Sequence, residues 1–340
     1  MRSVVNAAFD PIGVPAPSDE AAAFHRRLAA YTPTPLHELT DIAKELGVGA
    51  VLVKDESNRL GLPAFKILGA SWAVERALRE RPHIHTLVAA SAGNHGRAVA
   101  RAAALRGLAS RIYLPARSLA ARRDAIASEG ADVVIIDGTY DQAVQAAELA
   151  ATEPGVAVIA DVGAGGPAEW VIDGYQTLFA EAAAEATYDL VLVPVGVGSL
   201  AAAAARHGAQ VGARVVGVEP ATAACLSASL LRGAPTSVPT PGTVMAGLDC
   251  AEVSSAAWPT LQLGIAGTIS VTDDEAAAAM SELFAAGLAI GESGAAALAG
   301  LRALQADPRC FGLRDRLGVG RRTRALLVAS EGITGAPAPR

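Results

Sequence analysis

The stretch DLVLVPVGVGSLAAA (189–203) indicates a buried strand, a glycine-rich turn and the start of a helix. Its strand part is a continuous apolar run, which is typical of strands covered on both faces of a parallel sheet. Similar runs recur along the chain from about residue 50. The runs that we predict as strands are AVLVK (50–54), TLVAA (86–90), RIYLP (111–115), DVVIID (132–137), VAVIAD (156–161), DLVLVPV (189–195), RVVGVEP (214–220), TISVTD (268–273) and ALLVAS (325–330).

Alanine-rich helical segments separate these runs, among them ILGASWAVERALRER (67–81) and NHGRAVARAAALRG (94–107). Strands that alternate with helices predict an α/β protein with right-handed crossovers. The 340 residues leave room for about two domains. The glycine-rich segment VGAGGPAE (162–169) is the best candidate for a boundary between them.

Composition argues against several classes of protein. The net charge of -6 disfavours a nucleic-acid partner, because phosphate binding needs a basic face. The three cysteines, Cys225, Cys250 and Cys310, lie too far apart for a zinc motif or a disulfide framework. We therefore predict free thiols and no metal site. No window approaches the roughly 18 apolar residues of a membrane span, and the N-terminus lacks a signal peptide's apolar stretch, so we predict a cytoplasmic protein.

Lys66, in PAFKILGA (63–70), is the candidate for covalent chemistry. It lies where a polar loop enters a helix, and the positive helix end together with low polarity disfavours the ammonium form. A nucleophilic amine of this kind is what a Schiff base requires. Taken alone, the stretch fits an exposed lysine better, because most lysines are exposed. The competing Lys54 stands beside Asp55 and Glu56 and is better explained as an ion-paired residue.

The turn SAGNHG (91–96) follows a predicted strand directly. Its backbone N–H groups would point at an anion, and a small carboxylate is an appropriate guest. An ordinary strand-to-helix loop with an asparagine cap is the plain alternative. The candidate carboxylate-binding residues are Ser91, Gly93, Asn94 and His95.

A second turn, GVGS (196–199), has glycines that allow close backbone approach and a serine that can donate a hydroxyl. It suits a single phosphate, and it lacks both the dinucleotide fingerprint and the P-loop lysine. Ser330 ends a late strand, where open α/β sheets bind ligands. An amine, a carboxylate turn, a phosphate turn and a hydroxyl for a ring nitrogen together are the parts needed to hold pyridoxal 5'-phosphate (PLP) and an amino acid.

The motifs AFKILGA, SAGNHG, GVGSLA and SEG occur in the order and spacing of the fold-type II PLP enzymes, the tryptophan synthase β and threonine dehydratase group. The chain resembles this family from about residue 33 to residue 334. Four further stretches are most similar to the diaminopropionate ammonia-lyase subfamily: VEPATAACL (218–226), GTVMAGLDCAEVSSAAW (242–258), GESGA (291–295) and ASEGIT (329–334).

The resemblance implies two three-layer α/β domains with mostly parallel sheets and the cofactor in the cleft between them. Residues 1–82 and 165–340 would form the large cofactor-binding domain. Residues 83–164 would form a small mobile domain that closes on the substrate carboxylate. The resemblance also implies a homodimer.

Family roles carry over position by position as expectations. Lys66 would bind the cofactor as a Schiff base with Phe65 packed beside it, and Asn94 would bind the phenolic oxygen. Asp161 matches a catalytic aspartate of the family. Ser330, or Ala329 in its place, would face the pyridine nitrogen, and a hydroxyl there leaves that nitrogen largely unprotonated. The phosphate cradle would be Gly196, Val197, Gly198, Ser199 and Leu200.

One position departs from the subfamily pattern. Where diaminopropionate ammonia-lyases carry an acid–base aspartate used on the D-enantiomer, this chain has Ala92, as threonine and serine dehydratases do. An alanine takes no proton, so the substrate and its enantiomer stay open.

The implied function is a PLP-dependent carbon–nitrogen lyase. It would eliminate a β-substituent from a small amino acid and release a 2-oxo acid and ammonia. Alternatives are an L-serine or L-threonine dehydratase, a β-replacement synthase, and a non-catalytic binding homologue.

Overall fold

The computed structural model describes residues 2–334 and divides into two compact units. The first unit runs up to Phe65 and resumes at Gln176, and the second unit is Lys66–Tyr175. Within residues 2–334, no helix is both long enough and apolar enough to cross a membrane.

The first unit contains a seven-stranded sheet in the order β1-β10-β9-β8-β11-β3-β2. Its five inner strands are parallel, and the edge strands β1 and β2 are antiparallel to their neighbours. The strands are β1 (Ser3–Val5), β2 (Leu36–Glu38), β3 (Ala50–Asp55), β8 (Leu190–Pro194), β9 (Arg214–Pro220), β10 (Gly267–Val271) and β11 (Arg324–Ala329). The helices are α1 (Glu20–His25), α2 (Thr40–Leu46), α8 (Gln176–Glu185), α9 (Ser199–Val211), α10 (Cys225–Arg232), α11 (Trp258–Gly264), α12 (Asp273–Ala285), α13 (Glu292–Ala306) and α14 (Phe311–Leu317), with 3-10 turns at Pro11–Gly13, Ala246–Leu248 and Pro308–Cys310.

The second unit contains a four-stranded parallel sheet in the order β6-β5-β4-β7. Its strands are β4 (Thr86–Ala90), β5 (Ala109–Pro115), β6 (Asp132–Ile136) and β7 (Val156–Val158). Its helices are α3 (Lys66–Glu80), α4 (Asn94–Leu105), α5 (Ala120–Ala127), α6 (Tyr140–Ala150) and α7 (Gly166–Gly174).

The predicted α/β class with mostly parallel sheets is confirmed, since each of the nine predicted runs contains a strand. In β8, Val191, Leu192 and Val193 are all fully buried. Because neighbouring strand residues point to opposite faces, both faces of the sheet are covered at this strand. This double burial is why the strand is apolar throughout.

The run predicted at 156–161 forms a shorter strand, because the ladder of β7 to β4 ends at Val158. Ile159 N–H still donates to the Val88 carbonyl oxygen at 2.9 Å. The carbonyl oxygen of Ile159 accepts a hydrogen bond from Nε2 of His95 and so does not pair with the sheet. The chain beyond β7 therefore leaves the sheet and presents Asp161.

The predicted bounds assign α3 and α7 to the large domain, whereas in the structure both helices belong to the second unit, where they pack on each other. A Cβ at Gly174 would lie 2.6 Å from the Leu68 carbonyl oxygen, and one at Gly69 would lie 2.6 Å from the Tyr175 ring. Only glycines permit this approach. The movement of residues 83–164 as a small domain stays a prediction.

Candidate active site

Lys66 is the first residue of α3 and one of three lysines in the chain. The side chain of Lys44 is 73% exposed. The side chain of Lys54 is fully buried and pairs with Glu181, Nζ to Oε2, at 2.7 Å. Lys66 lies between these extremes at 20% exposed, so it is both accessible and held by the protein.

The residue before Lys66 is fixed to the end of β11. Phe65 is buried, and its N–H donates to the carbonyl oxygen of Ser330 at 3.3 Å. Nearby, the N–H of Gly332 donates to the carbonyl oxygen of Pro63 at 2.9 Å. These bonds set the backbone position from which Lys66 starts.

The Lys66 amine donates to Asp161, with Nζ 2.9 Å from Oδ2. His95 Nδ1 lies 3.8 Å from the same oxygen. The other ring nitrogen, Nε2, is 2.9 Å from the carbonyl oxygen of Ile159. Because a carbonyl oxygen only accepts, Nε2 carries the proton. Burial lowers the pKa of His95 and the Asp161 carboxylate opposes that shift, while Nδ1 is the ring nitrogen that faces Asp161.

Asp161 is held as a carboxylate. Burial alone would raise its pKa, but the ring of His95 and the charge and hydrogen bond of Lys66 outweigh burial, so the pKa lies well below its usual value. An ionised acceptor next to an amine can take and return a proton.

Tyr175 belongs to the same cluster, and the sequence did not predict it. Its ring centroid is 5.8 Å from Lys66 Nζ, and its side chain is fully buried. Burial raises the pKa of Tyr175, so it stays a neutral phenol. The close approach of Gly69 and Gly174 places this ring, and no spacing rule in the sequence signals such an approach.

The carboxylate turn connects β4 to α4. Ser91 and Asn94 are half-buried and Gly93 is exposed, whereas His95 is buried. Gly93 N–H donates to Ser91 Oγ at 3.3 Å. A Cβ at Gly96 would overlap the carbonyl oxygen of Ser91. The turn therefore needs a glycine behind it and leaves its front open, in the same unit as Lys66.

The phosphate turn connects β8 to α9. Gly196 and Val197 are half-buried, whereas Ser199 and Leu200 are buried. Gly198 has a left-handed backbone (φ 93°) and precedes the first residue of a 13-residue helix. N–H groups at such a helix start attract a phosphate.

Replacing Gly198 with alanine is expected to weaken PLP binding. The left-handed backbone costs a non-glycine residue about 1–2 kcal/mol, and the new Cβ would lie 2.6 Å from Leu261 Cδ1, so either the turn or the buried Leu261 side chain must shift. Gly212→Ala is the matched control, because Gly212 caps the other end of α9 with φ 78° and open space. PLP titration should show weaker affinity for G198A alone, and equal affinity of both variants would contradict the assignment of this turn.

Ser330 is buried and directly follows β11. Ala329, the alternative partner of the ring nitrogen, is the last residue of the strand. Successive strand residues point to opposite faces, and only Ser330 of the two has a hydroxyl. Its role towards a ring nitrogen stays a prediction.

The chemistry of these residues fits PLP. The second unit supplies an amine with a neighbouring carboxylate and the partly exposed turn at 91–95. The first unit supplies a glycine turn at a helix start and a serine hydroxyl. Phosphate, aldehyde and ring nitrogen each have a residue of suitable chemistry among them.

Comparisons with known proteins agree with this donor set. Residues 28–311 match the family model described as pyridoxal-phosphate dependent enzyme. Diaminopropionate ammonia-lyase of Escherichia coli K12 is 33% identical over 92% of this chain and 88% of its own length. Biosynthetic L-threonine dehydratase of Salmonella typhimurium is 32% identical over 79% of this chain and 52% of its own length. The crystal structure of the E. coli diaminopropionate ammonia-lyase in complex with D-serine superposes with a TM-score of 0.89 and 32% identity, covering 98% of this chain and 94% of that one.

Proposed function

This chain belongs to the pyridoxal-phosphate dependent enzyme family, and from that premise we propose that it is an ammonia-lyase. It eliminates a β-substituent from a small amino acid and releases a 2-oxo acid and ammonia, and the relative named diaminopropionate ammonia-lyase supports this class of reaction. The observation that carries the proposal is the Lys66 amine, 2.9 Å from the carboxylate of Asp161 and alone among the chain's lysines in being neither buried nor fully solvated.

Bound PLP supplies an electrophilic carbon for amines and a ring that accepts electrons from the substrate's Cα. Lys66 would hold the cofactor and, once its amine is free, take the Cα proton at Nζ. Asp161 Oδ2 would accept a hydrogen bond from the resulting ammonium and relay that proton, taken from Cα, to the leaving group. The backbone N–H groups of the 91–95 turn would bind the substrate carboxylate, and those of 196–200 the phosphate.

A second candidate is dehydration of serine or threonine. Ala92 favours it, because an alanine offers no carboxylate to a substrate's cationic β-amine. The 32% identity to L-threonine dehydratase is consistent with it. A hydroxyl leaving group needs one proton, which the Lys66 ammonium would supply through Asp161.

Replacing Ala92 with aspartate is expected to raise activity on D-amino acids relative to L-amino acids. The half-buried position would receive a second proton-carrying group besides Asp161, which a substrate of the opposite hand can use. Initial rates with both enantiomers of diaminopropionate and of serine check this. Ala92→Asn is the control of equal size without a titratable group. An unchanged D/L rate ratio in A92D would contradict the prediction.

A product screen tests the function directly. PLP-loaded enzyme is incubated with L- and D-diaminopropionate, serine and threonine, and both 2-oxo acid and ammonia are measured. Both products should form from a substrate alone. Product that forms only when a second nucleophile is added would indicate β-replacement, and no turnover despite bound cofactor would indicate a binding protein.

The homodimer and the cytoplasmic location stay predictions within this proposal. Light scattering of the purified protein checks the first, and a monomer mass at micromolar concentration would contradict it. Cell fractionation of the native host checks the second.

A further inference from the structure

A cluster of buried charged residues, which the proposed mechanism does not use, includes part of the loop between β3 and Lys66: Glu56 and Arg59 lie in the loop, Lys54 in β3 and Glu181 in α8. Lys54, Glu56 and Arg59 are fully buried, and Glu181 is 8% exposed. The two positive and two negative groups balance. Removing charges from water costs free energy that apolar side chains of similar size avoid, so a role beyond filling the core is a reasonable expectation.

Arg59 is the centre of this cluster. Its Nε and Nη2 donate to the two carboxylate oxygens of Glu56 at 2.8 and 2.6 Å. Its Nη1 and Nη2 donate to the two oxygens of Glu181 at 2.8 and 2.7 Å. Nη2 also donates to Thr34 Oγ1 at 2.9 Å. Two bidentate pairs on one planar guanidinium fix its position and orientation, which a lysine ammonium does not do.

The backbone of Arg59 closes a turn. Its N–H donates to the Leu62 carbonyl oxygen at 2.8 Å, and Leu62 N–H donates back at 3.0 Å. Between them, Leu60 (φ 52°) and Gly61 (φ 76°) are both left-handed, and within residues 2–334 Leu60 is the one non-glycine residue with positive φ. Such a conformation persists where its surroundings hold it. The side-chain bonds of Arg59 supply that restraint.

The turn lies on the short path to Lys66. Before the turn, Glu56 N–H donates to the Ala329 carbonyl oxygen at 2.9 Å. After it, Phe65 N–H donates to the Ser330 carbonyl oxygen. The loop 56–65 is therefore hydrogen-bonded at one end to Ala329, the last residue of β11, and at the other end to Ser330 directly after it, and the Arg59 cluster fixes its middle.

We propose that Arg59 is a positioning residue for Lys66. Through its bidentate hydrogen bonds to Glu56, called the fork below, it fixes the backbone position from which the Lys66 side chain extends. It acts through the backbone of the loop and touches no reacting atom. This inference rests on the proposed role of Lys66 as the amine that binds PLP.

The test compares two charge-balanced double variants. Arg59→Met with Glu56→Gln removes the fork, whereas Arg2→Met with Glu275→Gln removes a bidentate arginine–glutamate pair outside this cluster, with Nη1 and Nη2 of the buried Arg2 2.7 and 2.6 Å from the Glu275 oxygens. Both variants should unfold at lower temperature than the wild type. The rate at which the visible absorption band appears after PLP is added reports the placement of the amine separately from stability. Borohydride reduction then traps the adduct and shows that it is on Lys66.

The fork variant is expected to form the adduct and to turn over about 100-fold more slowly, the usual consequence of a reactive group misplaced by about 1 Å, with KM for the amino acid unchanged. The matched variant should keep the wild-type rates. Equal rates in all three proteins, or equal losses in both variants, would overturn the inference. If the fork variant does not fold, Arg59→Lys replaces it, since it keeps the charge and loses the fork; wild-type rates in R59K would overturn the inference too. Absence of any adduct on wild-type Lys66 would instead overturn the proposed function, and this inference with it.

Discussion

Replacing Lys66 with alanine is expected to remove the visible absorption of the PLP-loaded protein and to lower kcat by about 1000-fold or more, a loss typical of removing a proton-transfer group that also serves as nucleophile. The reason is the position of the amine: it is partly accessible, it follows a residue hydrogen-bonded to the end of β11, and it contacts Asp161. Absorbance spectra and initial rates of 2-oxo acid release provide the measurement.

Lys44→Ala is the matched control for this experiment. The side chain of Lys44 is 73% exposed, so its loss should leave both the absorption band and kcat unchanged. A K66A protein that keeps the band, or a K44A protein that loses it, would contradict the assignment of the reactive amine.

Replacing Asp161 with asparagine is expected to lower kcat by about 100-fold or more while PLP remains bound, because the variant keeps the shape of the side chain and loses its capacity to carry a proton. The wild-type carboxylate is ionised at neutral pH, since its pKa lies below the usual value. Initial rates of 2-oxo acid release and absorbance spectra of both PLP-loaded proteins provide the measurement.

Glu153→Gln is the control for Asp161→Asn. Glu153 also belongs to the second unit and pairs with a cation, Arg111, at 2.8 Å, but its side chain is 53% exposed. Surface pairs of this kind contribute little, so kcat should not change. A D161N enzyme with wild-type kcat would contradict the proton-carrying role of Asp161.

The parallel strands of both units were predictable because a strand buried on both faces has a continuous run of apolar residues in the sequence. Strand β8, for example, is apolar over its whole length. The edge strands β1 and β2 were missed, because each has only three residues, too few to show an alternation of apolar and polar side chains. Their pairing is decided by the neighbouring strand rather than by their own residues.

Lys66 and Asp161 could be singled out in the sequence, but their contact could not be derived from it, because it joins residues 95 apart. The same holds for Arg59 and Glu181, which are 122 apart. Lys54 illustrates the limit: it was expected to be paired, yet its partner is Glu181 rather than the acids beside it in the chain. Local chemistry identifies which groups react or need a partner, whereas the fold selects the partner.

Peptide mapping after borohydride reduction tests the central claim most directly. Wild-type protein is loaded with PLP, reduced, digested and analysed by mass spectrometry. The account predicts a phosphopyridoxyl group on the peptide that contains Lys66. Its presence on Lys44 or Lys54 instead, or on no lysine at all, would contradict the account.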